Sequence, residues 1–244
     1  MKKWAPLLMM CAACACTATG GGESQPAAPL GDKYATPMGE VFVYPVGHGS
    51  VMLSWNGKTI QVDPYSKVAD YSQLPQADLL LITHDHYDHL DPAAWKKTVK
   101  PTTHIITTAK VAPQMDGVTP QVMQNGEKTA WEGIQIDAVP AYNIVHKGPD
   151  GNFFHPKGEG NGYILHFGKF RIYIAGDTEN IPEMQNWAGP DVAFLPKNLP
   201  YTMTDEMFAD AALRLKPKHL YPYHYFEADK PALQKAVGKD IQLH

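Results

Sequence analysis

The chain has 244 residues, with 21 Lys and Arg against 25 Asp and Glu, and a formal net charge of −4. Without Lys2 and Lys3 the remainder is more acidic still, which argues against a nucleic-acid backbone as the main partner. Cysteine occurs only at Cys11, Cys14 and Cys16, so the rest of the chain offers neither a disulfide nor a thiolate nucleophile, and no apolar run is long enough for a membrane-spanning helix.

Residues 1–16 read as a targeting segment. Lys2 and Lys3 give a positive start, and residues 4–13 give an apolar stretch too short to cross a bilayer. The clustered cysteines suggest a lipoprotein-type signal, with one Cys becoming the acylated first residue. Cys14, after Ala12 and Ala13, is the first choice, then Cys16, then Cys11. An ordinary cleaved secretory signal is the alternative. Residues 17–38 are rich in Gly, Pro, Ala, Ser and Thr and read as a flexible tether. Residues 39–244 then suit one domain with a sizeable core. This organisation predicts an exported protein of the bacterial cell envelope, periplasmic or at the surface, held to the membrane by an N-terminal lipid anchor alone.

The domain opens with strand-like runs at residues 41–46 and 51–55, an Asn56-Gly57 hairpin signal, and a returning run at residues 58–62 closed by Asp63-Pro64. Gly47-His48-Gly49-Ser50 lies between the first two runs. The apolar stretch at residues 79–82 reads as a buried strand and delivers straight into Thr83-His84-Asp85-His86-Tyr87-Asp88-His89-Leu90-Asp91. No hydrophobic core wants three His and three Asp in so few residues. Metal chemistry does, because neutral imidazole and carboxylate are common ligands of zinc and similar divalent ions. His84, His86, Asp88 and His89 cannot all reach one tetrahedral ion along a regular strand or helix. They fit a loop that hands two donors to one metal and two to a neighbour.

Asp91 caps a predicted helix with Pro92 in its first turn. Strands are predicted at residues 104–108 and 134–139. A hairpin is predicted at residues 163–174, ending in Ala175-Gly176-Asp177-Thr178. Residues 191–196 read as a further buried strand. Residues 203–215 carry helical spacing, with Thr204 as cap and Met207, Ala211 and Leu215 on one face. The last predicted strand ends in His224, while His219 enters it from the far end and reads as structural. Gly158-Glu159-Gly160-Asn161-Gly162 leads into a strand and lacks the Lys-Ser/Thr ending of a phosphate loop, so it reads as a flexible pocket edge.

The His84-x-His86-x-Asp88-His89 pattern, with Gly176-Asp177-Thr178 and the strand ending in His224, resembles the metallo-β-lactamase superfamily. The similarity runs from Val41 to His224 and leans toward its lactonase-like and N-acylphosphatidylethanolamine phospholipase-like branches. It implies an α+β fold, a four-layer αβ/βα sandwich with the metals at one edge. It also implies two divalent ions, zinc by default with manganese or iron as alternatives. By resemblance His84 and His86 bind the first ion, Asp88, His89 and His224 the second, and Asp177 bridges them. Many members place a His where this chain has Asn143. His155 is therefore the expected third ligand of the first ion and His146 the reserve. Asn143 is left to ligate weakly or to orient a water. Asp63 is expected to steady the metal loop, and His48 to line the site. Lys197 or Tyr201 could meet a substrate anion.

The implied activity is hydrolysis by a metal-bridged hydroxide, with Asp88 shuttling the proton. The expected substrate is a small-molecule or lipid-like ester, lactone or phosphodiester. The alternatives are a β-lactam hydrolase and a metal-binding envelope protein with little or no turnover.

Overall fold

The computed structural model describes residues 31–225 and 227–244, so the targeting segment and most of the tether lie outside the described residues. The first half of the domain forms one seven-stranded sheet: β1 (Asp32–Thr36), β2 (Gly39–Gly47), β3 (Ser50–Trp55), β4 (Lys58–Val62), β5 (Leu79–Leu81), β6 (His104–Thr107) and β7 (Gln121–Val122). Strands β1 to β4 make an antiparallel meander, and β4 to β7 run parallel. The second half repeats the plan: β8 (Lys128–Trp131), β9 (Ile134–Ala141), β10 (Gly160–Phe167), β11 (Phe170–Ile174), β12 (Val192–Pro196), β13 (His219–Tyr223) and β14 (Gln242–Leu243). There β8 to β11 are antiparallel and β11 to β14 parallel.

Alternation along each strand sorts side chains between two layers of core. Leu79 and Leu81 of β5 face the space between the sheets, where they meet Phe194, Tyr163 and Ile174. Leu80 and Ile82 face outward and pack under Trp95 of α1 (Pro92–Thr98). On the other sheet Ala193 and Leu195 face outward to α2 (Asp205–Leu215) and α3 (Lys230–Val237). The result is helix, sheet, sheet, helix: the expected α+β four-layer αβ/βα sandwich. The capping predictions also hold, with the Asp91 side chain accepting from Ala93 N and Thr204 from Met207 N. The buried stripe of α2 is Phe208, Ala211, Ala212 and Leu215, with Met207 only partly covered.

Two expectations need correction. The tether does not run to residue 38, because Asp32–Thr36 is strand β1, paired with β2 in register Tyr34 to Val41. Its composition is that of a linker, but tertiary partners hold it: the Tyr34 ring lies 5.8 Å from Phe170, and Trp55 Nε1 donates to Met38 O at 2.8 Å. The glycine-rich edge is not loose either. Gly160, Asn161 and Gly162 are buried in β10, and a Cβ on Gly162 would come within 2.8 Å of Ala175 O. Here glycine serves close backbone approach rather than flexibility.

Candidate metal centre

Parallel strands end together, so the loops that follow β5, β11 and β13 meet at one edge of the sandwich, with the β2–β3 turn and the loop after β9 beside them. The first loop is held by Asp63, which is fully buried at the end of β4. Its carboxylate accepts from Thr83 N at 2.8 Å, from Thr83 Oγ1 at 2.6 Å and from His89 Nδ1 at 2.8 Å. His84 Nδ1 in turn lies 2.9 Å from Thr83 Oγ1. Both histidines are thereby anchored through Nδ1 and turn Nε2 inward, the usual way outer partners orient metal ligands.

The second half contributes His155, Asp177 and His224 from three separate loops. His155 Nε2 stands 3.2 Å from His86 Nδ1 and 3.2 Å from Asp177 Oδ2. His224 Nε2 stands 3.3 Å from Asp177 Oδ2 and 3.4 Å from Asp88 Oδ2, and its Nδ1 lies 3.2 Å from the Asn198 amide. His89 Nε2 lies 3.5 Å from Asp177 Oδ1, and His84 Nε2 4.0 Å from Asp177 Oδ2. His48 and His224 both adopt left-handed backbone, at φ 49° and 54°, and His224 N donates to His48 O at 2.8 Å. Non-glycine residues held there cost energy and concentrate at functional sites. Gly49 sits against them, where a Cβ would strike His89 Cε1 at 2.7 Å.

Whether these residues suit a metal is answered by their polar atoms. His84 Nε2, His89 Nε2, His224 Nε2 and Asp177 Oδ1 are buried without a hydrogen-bond partner among the described residues. Four orphaned buried atoms in one cluster would be costly in an ordinary core. Donors of this kind that all face Asp177 fit divalent ions. Charge agrees. Burial, then the neighbouring His89, holds the pKa of His84 well below the ordinary imidazole value, keeping the neutral form that ligates. Burial alone would strip His89 of a proton, but Asp177 and Asp63 flank it and hold its pKa well above the usual value. Burial would likewise raise Asp177, yet His224, His89 and His155 outweigh it and keep the carboxyl ionised. A site this rich in buried carboxylate attracts a cation.

Every expected ligand, His84, His86, Asp88, His89, His155, Asp177 and His224, comes to this edge. The possible ligand atoms fall into three close groups: His84, His86 and His155; His84, His89 and Asp177; and His48, Asp88 and His224. The first group matches the expected first node. Around the expected second node, His89 Nε2 groups with His84 and Asp177 while its ring stacks on His224 at 5.0 Å, and His48 joins Asp88 and His224. His48 Nε2 is 2.8 Å from Asp88 Oδ2.

Four lesser expectations resolve clearly. His146 does not reach the cluster, because its Nδ1 donates to Glu179 Oε1 at 2.6 Å. Asn143 does not point a donor at it either. Its Oδ1 accepts from His155 Nδ1 at 2.6 Å and from His155 N at 2.9 Å, while its Nδ2 donates to Glu179 Oε1 and to Tyr201 O, both at 2.9 Å. Asn143 thus orients His155, twelve residues further along the loop. Lys197 is tied to Asp205 at 2.7 Å and lines neither of the two clefts at the cluster. Tyr201 does line a cleft beside the cluster.

The sequence reading missed Glu179, which is fully buried and accepts from Ile144 N and Val145 N at 2.6 Å and from His146 N at 2.8 Å. Burial alone would raise its pKa, but the Asn143 amide and these backbone donors keep it lowered. A charged residue directly after Gly176-Asp177-Thr178 was the available signal.

The comparisons agree with this geometry. Residues 43–224 match the family model described as a beta-lactamase superfamily domain. A UPF0173 metal-dependent hydrolase of Thermus thermophilus is 35% identical over 216 residues, covering 82% of this chain and 92% of the relative. A second, from Pyrococcus furiosus, is 32% identical over 218 residues, covering 81% and 92%. Among solved structures, a candidate metal-dependent hydrolase from Parabacteroides distasonis superposes with a TM-score of 0.82 at 43% identity, over 88% of this chain and 97% of that one. The metallo hydrolase Igni18 of Ignicoccus hospitalis shares the fold at a TM-score of 0.69 and 24% identity, over 83% and 93%. With the ligand-bearing loops at one edge of the sandwich and a family match that spans them, this chain belongs to the metallo-β-lactamase superfamily, as one of its metal-dependent hydrolases.

Proposed function

We propose that the protein hydrolyses an ester, lactone or phosphodiester with two divalent ions, zinc first and manganese or iron as the alternatives. The observation that carries this reading is the set of three orphaned, buried imidazole nitrogens, of His84, His89 and His224, that converge on Asp177, whose Oδ1 is orphaned with them. His84, His86 and His155 would hold one ion, and Asp88, His89 and His224 the other, with Asp177 between them. When bound, such ions supply Lewis acidity and lower the pKa of water toward neutrality.

The chain's own groups do the rest. Asp88 is kept ionised, because hydrogen bonds from His224 and His48 outweigh the burial that would raise its pKa. The ionised carboxylate can accept a proton from the attacking water and return it to the leaving group, while His48 Nε2, 2.8 Å from Oδ2, donates to it and holds it in place. Asp63, Thr83 and Asn143 keep the imidazoles turned inward throughout.

Elemental analysis of the purified chain, with hydrolysis of a phosphodiester, a lactone and a β-lactam by wild type and Asp88→Asn, tests the reading. We expect close to two metals per chain and turnover that the substitution removes. One metal or none, with no turnover on any substrate, would overturn it. Cleavage confined to the β-lactam would assign the narrower activity. We also infer that the domain works at the bacterial cell envelope on a lipid anchor at Cys14, a reading supported by residues 1–16 alone. Metabolic labelling with a radioactive fatty acid should mark wild type, and should spare Cys14→Ser.

A further inference from the structure

Two clefts that share Phe154 reach the ligand cluster, and their walls differ. One, of about 620 Å³, is bordered by Asp85, Lys110, Lys147, Asn152 and Glu159. The charges there largely balance, with Lys110 Nζ 2.6 Å from Glu159 and 4.0 Å from Asp85. The other, of about 340 Å³, is walled by the rings of Tyr87, Phe154 and Tyr201 and floored by Asp88 and His224. Phe154 and Tyr201 meet edge to face with centroids 5.0 Å apart. The two clefts share His86, Phe154, His155 and Asp177, so one molecule lying across both would cross the ligand cluster.

The loops that supply these rings carry further apolar side chains in water. Seven large hydrophobic residues are conspicuously exposed among the described residues, and five of them, Tyr87, Ile144, Val145, Leu199 and Tyr201, sit on the three loops that bear Tyr87, Phe154 and Tyr201. Tyr87 is 77% exposed, Val145 60% and Leu199 54%. Asn143 ties the loop of Ile144 and Val145 to that of Leu199 and Tyr201 through Tyr201 O. Folding gains nothing from holding such side chains in water, and a gathered apolar patch beside a polar site marks a binding surface.

We propose that the substrate is an amphiphile. Its unbranched apolar chain lies between Tyr87, Phe154 and Tyr201, its reacting group lies over Asp88 and His224, and its polar head extends toward Lys110 and Lys147. This rests on the hydrolase reading for the place of the reacting group. The chain-binding cleft is a property of the walls alone.

A series of n-alkylphosphonates from methyl to decyl, each below its aggregation concentration, tests it by calorimetric titration of the full chain with its metals. Affinity should rise about fourfold per methylene until the cleft is filled, as burial of each group predicts. Tyr201→Ser and Tyr87→Ser should flatten that rise to about twofold. Leu213→Ser, an exposed apolar residue of α2, should leave it unchanged.

Methylphosphonate binding with no dependence on chain length would overturn the amphiphile and leave the hydrolase intact. Phenylphosphonate binding tighter than hexylphosphonate would overturn the unbranched chain. If no member binds to protein of normal metal content, the proposal also falls. Loss of the metal itself, read by elemental analysis, would strike the hydrolase reading instead.

Discussion

The two halves of the domain are built alike and employed differently. Each is a four-stranded meander continued by three parallel strands. Each uses an Asp just before its first parallel crossover strand. Asp78 accepts from Thr59 N at 2.8 Å and from Lys100 Nζ at 2.8 Å, while Asp191 accepts from Arg171 N at 2.9 Å and from Lys218 Nζ at 2.7 Å. The chemistry does not repeat. The loop after β5 carries His84, His86, Asp88 and His89 together, whereas the matching loop after β12 supplies only Asn198 and Tyr201 beside the cluster. The second half spreads His155, Asp177 and His224 over three other loops. A shared scaffold fixes where strand ends fall, and the residues placed there decide what each end does.

The largest expected effect tests the joint between the halves. Asp177→Ala removes the carboxylate that faces His84, His89, His155 and His224. Metal content should fall to one ion per chain or fewer, and hydrolysis by more than about a hundredfold, beyond the loss usual for an outer partner. Retention of two ions would mean that the halves bind metal independently.

Packing comes next. Trp95→Ala under the first sheet's helix and Phe208→Ala under the second's should each cost about 3–5 kcal/mol in denaturant unfolding. Equal losses in one cooperative transition would show the halves folding as a unit. Two transitions, each moved by one substitution, would separate them.

A third contrast concerns the ligand supports. Asp63→Asn in the first half and Asn143→Ala in the second should each weaken metal binding by about 10- to 100-fold in competition with a chelator. Glu179→Ala should act like Asn143→Ala, because Glu179 holds the Asn143 amide and the backbone of residues 144–146. Full affinity in Glu179→Ala would show that Asn143 is held by Tyr201 O alone.

The smallest effect is a pH dependence. Burial would raise the Asp78 carboxyl, but Lys100 and Thr59 N outweigh it and lower its pKa. A carboxylate lowered on folding contributes stability that is complete above its unfolded pKa of about 3.9 and is lost as pH falls through the lower folded value. Asp78→Asn should therefore cost about 1 kcal/mol at pH 7, with the gap to wild type closing below about pH 4. A gap that stays constant to pH 3 would mean that the side chain acts by shape rather than charge.

The His-rich loop was legible because it is local. His84, His86, Asp88 and His89 sit within six consecutive residues after a run of four apolar ones, so one turn of chain announces the chemistry. Caps were legible for the same reason, since Asp91 and Thr204 act on amides two and three residues away. What was not legible depended on partners far along the chain. Asn143 reads as a failed ligand until His155, twelve residues on, is seen to use its oxygen. Glu179 reads as a loop acid until it meets the amides of residues 144–146. Strand β1 reads as tether until Tyr34 finds Phe170 and His219.

By itself, then, the order of residues determined the strand periods, the helix caps and the identity of the ligand loop, because those follow from interactions within a few residues. Only the tertiary structure decided that His48 joins Asp88 and His224, that Asn143 turns its oxygen to His155, and that the tyrosines of two distant loops wall one cleft. These depend on how two sheets close against each other, and contacts that span the chain are set by packing and loop geometry rather than by local pattern.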